Sequence, residues 1–139
     1  MIGEKIGEST GKISGMRVIA CESSGRTKVE CSMTETGKLL GMDVTEVATY
    51  WSFPQANGTF YGEGNGIITT KDGEHITWKG TGIGKPTGKG NGMSWRASCY
   101  YETTSSKLSR LNDTVGLVQF ETDENDNTKA QIWEWSGKR

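Results

Sequence analysis

Apolar and polar residues alternate with a period of two along most of this chain, and the apolar half of each alternation is rich in β-branched and aromatic side chains. That spacing belongs to strands with one face buried. It predicts strands over Lys12–Cys21, Thr27–Thr34 and Met42–Phe53, separated by turn signals at Ser23-Ser24-Gly25 and Gly37-Lys38. Thr59–Thr70 and His75–Ile83 flank Lys71-Asp72-Gly73-Glu74, in which Asp-Gly is a strong hairpin signal. Met93–Tyr101, Val115–Glu121 and Lys129–Trp135 complete a set of about eight strands. Thr103–Asp113 is the longest connection, Asp123–Thr128 is a polar turn, and Ser105–Leu111 is the single helical candidate, about two turns at most.

Glycine sharpens the picture. Between Gly58 and Gly92 it occupies alternate positions three times over: Gly62, Gly64, Gly66; Gly80, Gly82, Gly84; and Gly88, Gly90, Gly92. Such triplets strip one face of a sheet of side chains, as happens where strands coil tightly, bulge or close a barrel. The predicted fold is all-β, a closed or nearly closed eight-stranded antiparallel barrel with at most one short helix, formed by residues 1–139 as a single domain. With Asp72-Gly73 as a two-residue turn, Thr70 lies opposite His75, Ile67 opposite Trp78, Glu63 opposite Gly82 and Tyr61 opposite Gly84. One face of that hairpin then reads Tyr61, Glu63, Asn65, Ile67, Ile76 and Trp78, and it is the better interior. Met93, Trp95, Ala97, Cys99 and Tyr101 continue the apolar alternation in the next strand. An aromatic hollow with a few polar groups suits a small ligand, so Tyr61, Glu63, Asn65, Trp78, Trp95 and Tyr101 are the expected ligand-binding residues.

Composition narrows the function classes. The chain has 139 residues and is only 32% hydrophobic, but five Trp, four Tyr and three Phe supply large buried areas. A net charge of −1 argues against a nucleic-acid partner. No segment approaches the length of a membrane span, and Met1-Ile2-Gly3-Glu4-Lys5 lacks the apolar run of a signal peptide, which reads as a cytoplasmic protein. Cys21, Cys31 and Cys99 form no CxxC pair and read as reduced, mostly buried thiols; no cofactor and no metal is expected.

Five features invite chemistry. Glu63 with Asn65 or Tyr61 could act as acid and hydrogen-bonding partner, since a carboxyl among aromatics has its pKa raised. His75, the single histidine, follows a turn and reads as exposed; Arg96 reads as an outer-surface residue. Gly84–Gly90 imitates a phosphate loop but lacks its Gly-Lys-Ser/Thr ending and its helix. Asp123, Asn125, Asn127 and Glu134 match positions one, three, five and twelve of a calcium loop. Thr128 replaces the required glycine, and strand-like flanks replace helices, so a polar hairpin turn is expected.

The run Gly62-Glu63-Gly64, Asp72-Gly73, Gly80-Thr81-Gly82-Ile83-Gly84, Gly88-Lys89-Gly90 and Ser106-Lys107-Leu108-Ser109-Arg110-Leu111 resembles the glycine-spaced strands and closing loop of the allene oxide cyclase-like barrels. That superfamily includes small bacterial and archaeal domains of unassigned function. The resemblance covers roughly Thr59–Trp135 and implies an eight-stranded antiparallel barrel with a mostly apolar cavity, in which some members catalyse cyclisations. It carries over no catalytic residue. Three function classes follow: a binding module for a small apolar or aromatic molecule, a cyclase- or isomerase-type enzyme acting on such a molecule, or a structural protein with a filled barrel. In the last, Trp133 and Trp135 would serve a homodimer or higher homo-oligomer.

Overall fold

The computed structural model describes residues 3–19 and 26–136. Eight antiparallel strands follow one another around a closed barrel: β1 (Lys5–Ile19), β2 (Lys28–Leu39), β3 (Met42–Pro54), β4 (Phe60–Thr70), β5 (His75–Pro86), β6 (Met93–Thr103), β7 (Val115–Thr122) and β8 (Asn127–Glu134). Each strand pairs with its sequence neighbours, and β8 pairs back onto β1 from Lys5↔Trp133 to Lys12↔Asn127. Closure leaves no strand edge unpaired over that length.

Two turns differ from the sequence expectation. The β2–β3 turn is not at Gly37-Lys38 but at Leu40-Gly41, where Leu39 pairs with Met42 and both loop residues have positive φ, 51° and 79°. A two-residue loop of that hand matches the twist of the flanking strands. Gly37 lies inside β2 for another reason: a Cβ there would collide with the main chain of Glu8 on the neighbouring strand. The expected Ser23-Ser24-Gly25 turn, with Ala20 and Cys21, lies outside the described residues. β1 begins at Lys5, well before the expected Lys12, and carries a bulge between Ile13 and Gly15.

The β4–β5 hairpin has a three-residue loop rather than a two-residue one. Thr70 N–H donates to Glu74 O at 2.9 Å, Gly73 N–H to Thr70 O at 3.0 Å, and Gly73 has φ 88°. This is a type I turn closed by a left-handed glycine. His75 therefore faces Thr69, Ile67 faces Thr77, and Gly62 faces Gly82. A shift of one residue exchanges the faces of a strand. On β4 the interior belongs to Gly62, Gly64, Gly66, Ile68 and Thr70, while Tyr61, Glu63, Asn65 and Ile67 face outward; on β5, Ile76 and Trp78 face inward as expected. The first two glycine triplets thus share the inner wall, and the third lies in the β5–β6 turn.

One end of the barrel is plugged. The expected helix is a short 3₁₀ turn at Ser109–Asp113, with Leu111 N–H donating to Leu108 O at 2.9 Å. Residues three apart eclipse in that geometry. Leu108 and Leu111 both enter the barrel end, fully buried, and pack with Ile6, Leu39, Val44, Ile68 and Ile76. At the other end, beyond the bulge, Met16 and Val18 are exposed where they pair with Cys31 and Val29.

Candidate functional site

Beyond the plug lies a cavity of about 120 Å³. Its β4–β5–β6 side is nearly bare, made of Gly62, Gly64, Gly80, Gly82 and Ala97. Two indoles bracket that bare wall. The benzo ring of Trp95 lies on Gly62 and Gly84, where an added Cβ would approach it to 2.9 and 2.7 Å, and Trp78 lies on Gly66, where a Cβ would stand 2.5 Å from Nε1. At Gly62, Gly66 and Gly84 the indoles occupy the space a side chain would need, and at Gly80 and Gly82 the neighbouring strand β6 does. Tyr50 meets Trp95 and Phe120 edge to face, with centroids 6.2 and 5.7 Å apart. Met33, Val118, Ile132 and Tyr101 complete the apolar lining.

The polar part of the cavity is a pair of carboxyl groups. Glu35 on β2 and Glu46 on β3 are direct cross-strand partners, and both point inward. Glu35 is 2% exposed. It accepts hydrogen bonds from Ser9 Oγ at 2.9 Å and from Thr128 Oγ1 at 2.5 Å, one on each oxygen. Glu46 accepts the indole N–H of Trp78 and hydrogen-bonds Glu35. Burial, and then the negative charge of Glu35, push the Glu46 carboxyl up to about 8, against the smaller opposing pull of the Trp78 N–H. Two like charges this close do not both ionise at neutral pH, so the pair shares one proton.

Two thiols line the same interior. Tyr50 hydrogen-bonds Cys31 and Tyr101 hydrogen-bonds Cys99; burial raises all four groups, Cys99 to about 11, so none supplies a thiolate or phenolate at neutral pH. Among the described residues, no group of three or more His, Cys, Asp or Glu could hold a metal ion. One buried side-chain polar atom has no hydrogen-bond partner there: the indole Nε1 of Trp95, a residue only 6% exposed.

Of the residues expected from sequence, Trp78, Trp95 and Tyr101 are brought together on the cavity lining. Tyr61, Glu63 and Asn65 are not. Their side chains stand on the outer wall because of the β4 register, and Tyr61 Oη donates to Glu63 Oε2 at 2.8 Å beside Trp51 and Phe53. Glu63 borders the cavity only as main chain between two glycines. His75 is exposed, with Nδ1 3.2 Å from Thr69 Oγ1, and Arg96 is exposed beside Glu121. Asp123 Oδ1 accepts the amides of Asn125 and Asn127 at 2.8 and 2.9 Å, which makes the calcium-like run a hairpin turn. Glu134 sits at the far end of β8, bonded to Arg110 and Thr114. Trp133 pairs with Leu117 on β7, and Trp135 is exposed just past β8.

Sequence reasoning missed Glu35, Glu46, Tyr50 and Phe120. The signal was present: with the turn at Leu40-Gly41, Glu35 shares a face with Cys31, Met33 and Leu39, and Glu46 falls in the series Met42, Val44, Ala48, Tyr50. A charged residue in an otherwise apolar inward series is the mark of a buried functional or paired group.

No family model and no curated protein matches the chain. Solved structures match it in fold. A protein of unknown function from Clostridium acetobutylicum superposes with a TM-score of 0.80 at 12% identity, over 96% of this chain and 99% of that one. A β-barrel-like protein from Acinetobacter baumannii gives 0.79 at 13%, over 95% and 94%. An enzyme from Penicillium herquei gives 0.67 at 18%, over 94% and 92%. The likeness is one of architecture, a small barrel closed by eight strands.

Proposed function

We propose that this barrel binds a small aromatic molecule in its cavity. The observation that carries this reading is the hollow itself, walled by Trp78, Trp95, Tyr50 and Phe120. At about 120 Å³ the hollow is smaller than the apolar cavity of about 150 Å³ that holds benzene, which limits an occupant to one small ring. A flat ring can lie against Gly80, Gly82 and Ala97 between Trp78 and Trp95.

Intrinsic tryptophan fluorescence, titrated with phenol, benzyl alcohol and larger aromatics, tests the reading. The single-ring compounds should shift the emission and saturate. Ala97→Leu, which extends a side chain into the cavity, should abolish the response, and Trp95→Phe should weaken phenol about tenfold. No saturable response from any compound would remove the basis for a binding role.

A second reading, catalysis of isomerisation or cyclisation, is favoured by one observation of its own. Glu46 holds a proton at neutral pH beside the cavity, which is the state a general acid needs. That reading places the acid at Glu46 and not at Glu63. One protein of similar fold, from Penicillium herquei, is described as an enzyme. Glu46→Gln separates the two readings: affinity should persist in both, while turnover should vanish only if the protein is an enzyme.

A further inference from the structure

Among the described residues, the cavity lining contains two side-chain carboxyl groups that point inward, Glu35 and Glu46, and no lysine, arginine or histidine. The pair therefore leaves a negative charge inside the barrel that no cationic side chain of the lining balances. Ser9, Thr128 and Trp78 solvate it with three hydrogen bonds but contribute no positive charge. A buried charge held this way stays costly unless an opposite charge joins it.

The remaining lining is unusual for an anionic site in being mostly aromatic. Trp78, Trp95, Tyr50 and Phe120 present ring faces or edges to the hollow, and ring faces attract cations, tryptophan most strongly.

We propose that the natural occupant is a small aromatic monocation, a single ring carrying a protonated amine, with the ammonium group at the Glu35–Glu46 pair and the ring on the glycine wall between Trp78 and Trp95. This rests on the cavity-binding reading and adds the charge of the ligand to it. One positive charge meets a pair that keeps its shared proton, so the complex is neutral and no proton is released. A divalent metal suits the site less well. The hard cations that prefer oxygen take six or more ligands, and the lining offers them only two inward side-chain carboxyl groups.

The isosteric pair benzylamine, charged at pH 7, and benzyl alcohol, neutral, tests the proposal by calorimetric titration of the full chain. Benzylamine should bind at least about tenfold more tightly. Glu46→Gln mimics the protonated member and should keep that preference. The double variant Glu35→Gln with Glu46→Gln has no charge and should lose the preference while still binding the alcohol. Alcohol binding as tight as amine binding in the wild type would overturn the cation assignment and leave the cavity reading standing, as would a preference that survives the double variant. Binding of neither compound would overturn both. If the double variant does not melt as a folded protein, the wild-type comparison decides alone.

Discussion

At the residue scale the decisive positions are those where a charge or a missing side chain faces inward. Glu46 is held protonated by burial and by Glu35, with its carboxyl raised to about 8 in the fold against an ordinary carboxylate in the unfolded chain. Between the ordinary value and about 8 the folded state binds more protons than the unfolded one. Stability therefore falls as pH rises through that window, by no more than ~1.4 kcal/mol per pH unit, and levels off above it. Besides Glu35, the titratable side chains facing the same interior, Cys31, Tyr50, Cys99 and Tyr101, are pushed upward and hold their protons throughout the window. Urea unfolding from pH 5 to 9 should show the decline in the wild type and lose it in Glu46→Gln; an identical decline in both would assign it to another group. Glycine makes a second prediction. In Gly66→Ala a methyl group would press on the Trp78 indole and on Ala48, which should cost about 1–3 kcal/mol, whereas Gly15→Ala, with open space around it, should stay within about 0.5 kcal/mol. Trp78, Trp95 and Tyr101 were legible in the sequence because large apolar residues declare their face by alternation. Glu35 and Glu46 were not, because a carboxylate at period two looks like a solvent-facing position until the strand's partner is known.

At the scale of elements, strand identity was readable and strand register was not. Every expected strand has an observed counterpart, since β-branched and aromatic alternation is a local signal. Register depends on loop length, and Asp72-Gly73 serves a two-residue and a three-residue loop equally well in sequence. The extra residue in the loop turned Tyr61, Glu63 and Asn65 out of the barrel. The Gly37-Lys38 signal failed for a related reason: the glycine answers to a crowded neighbouring strand rather than to a turn. The plug, by contrast, could be read as an apolar pair spaced by three, Leu108 and Leu111, and only its helical type differed. Because Leu111 is completely buried, Leu111→Ala should cost about 2–5 kcal/mol, measured by denaturant titration. A loss under 1 kcal/mol would mean that the 3₁₀ turn merely covers the barrel end.

At the scale of the molecule, the pairing of β8 with β1 makes every strand depend on two neighbours. Such a sheet has no strand that can leave cheaply. Fluorescence of the five tryptophans and far-ultraviolet circular dichroism should therefore report one coincident unfolding transition. Noncoincident curves would show that part of the barrel opens separately. The barrel was legible from the glycine triplets as a shape, because bare alternate positions permit tight coiling in either register. What the triplets could not reveal is that the space they vacate belongs to two indoles and a hollow. With one end stoppered by Leu108 and Leu111, the hollow lies between that stopper and the meeting point of Tyr50, Trp95 and Phe120. On the proposed binding role, trimming Phe120 should quicken both entry and escape of phenol and weaken its affinity as well, because the same ring is gate and wall at once.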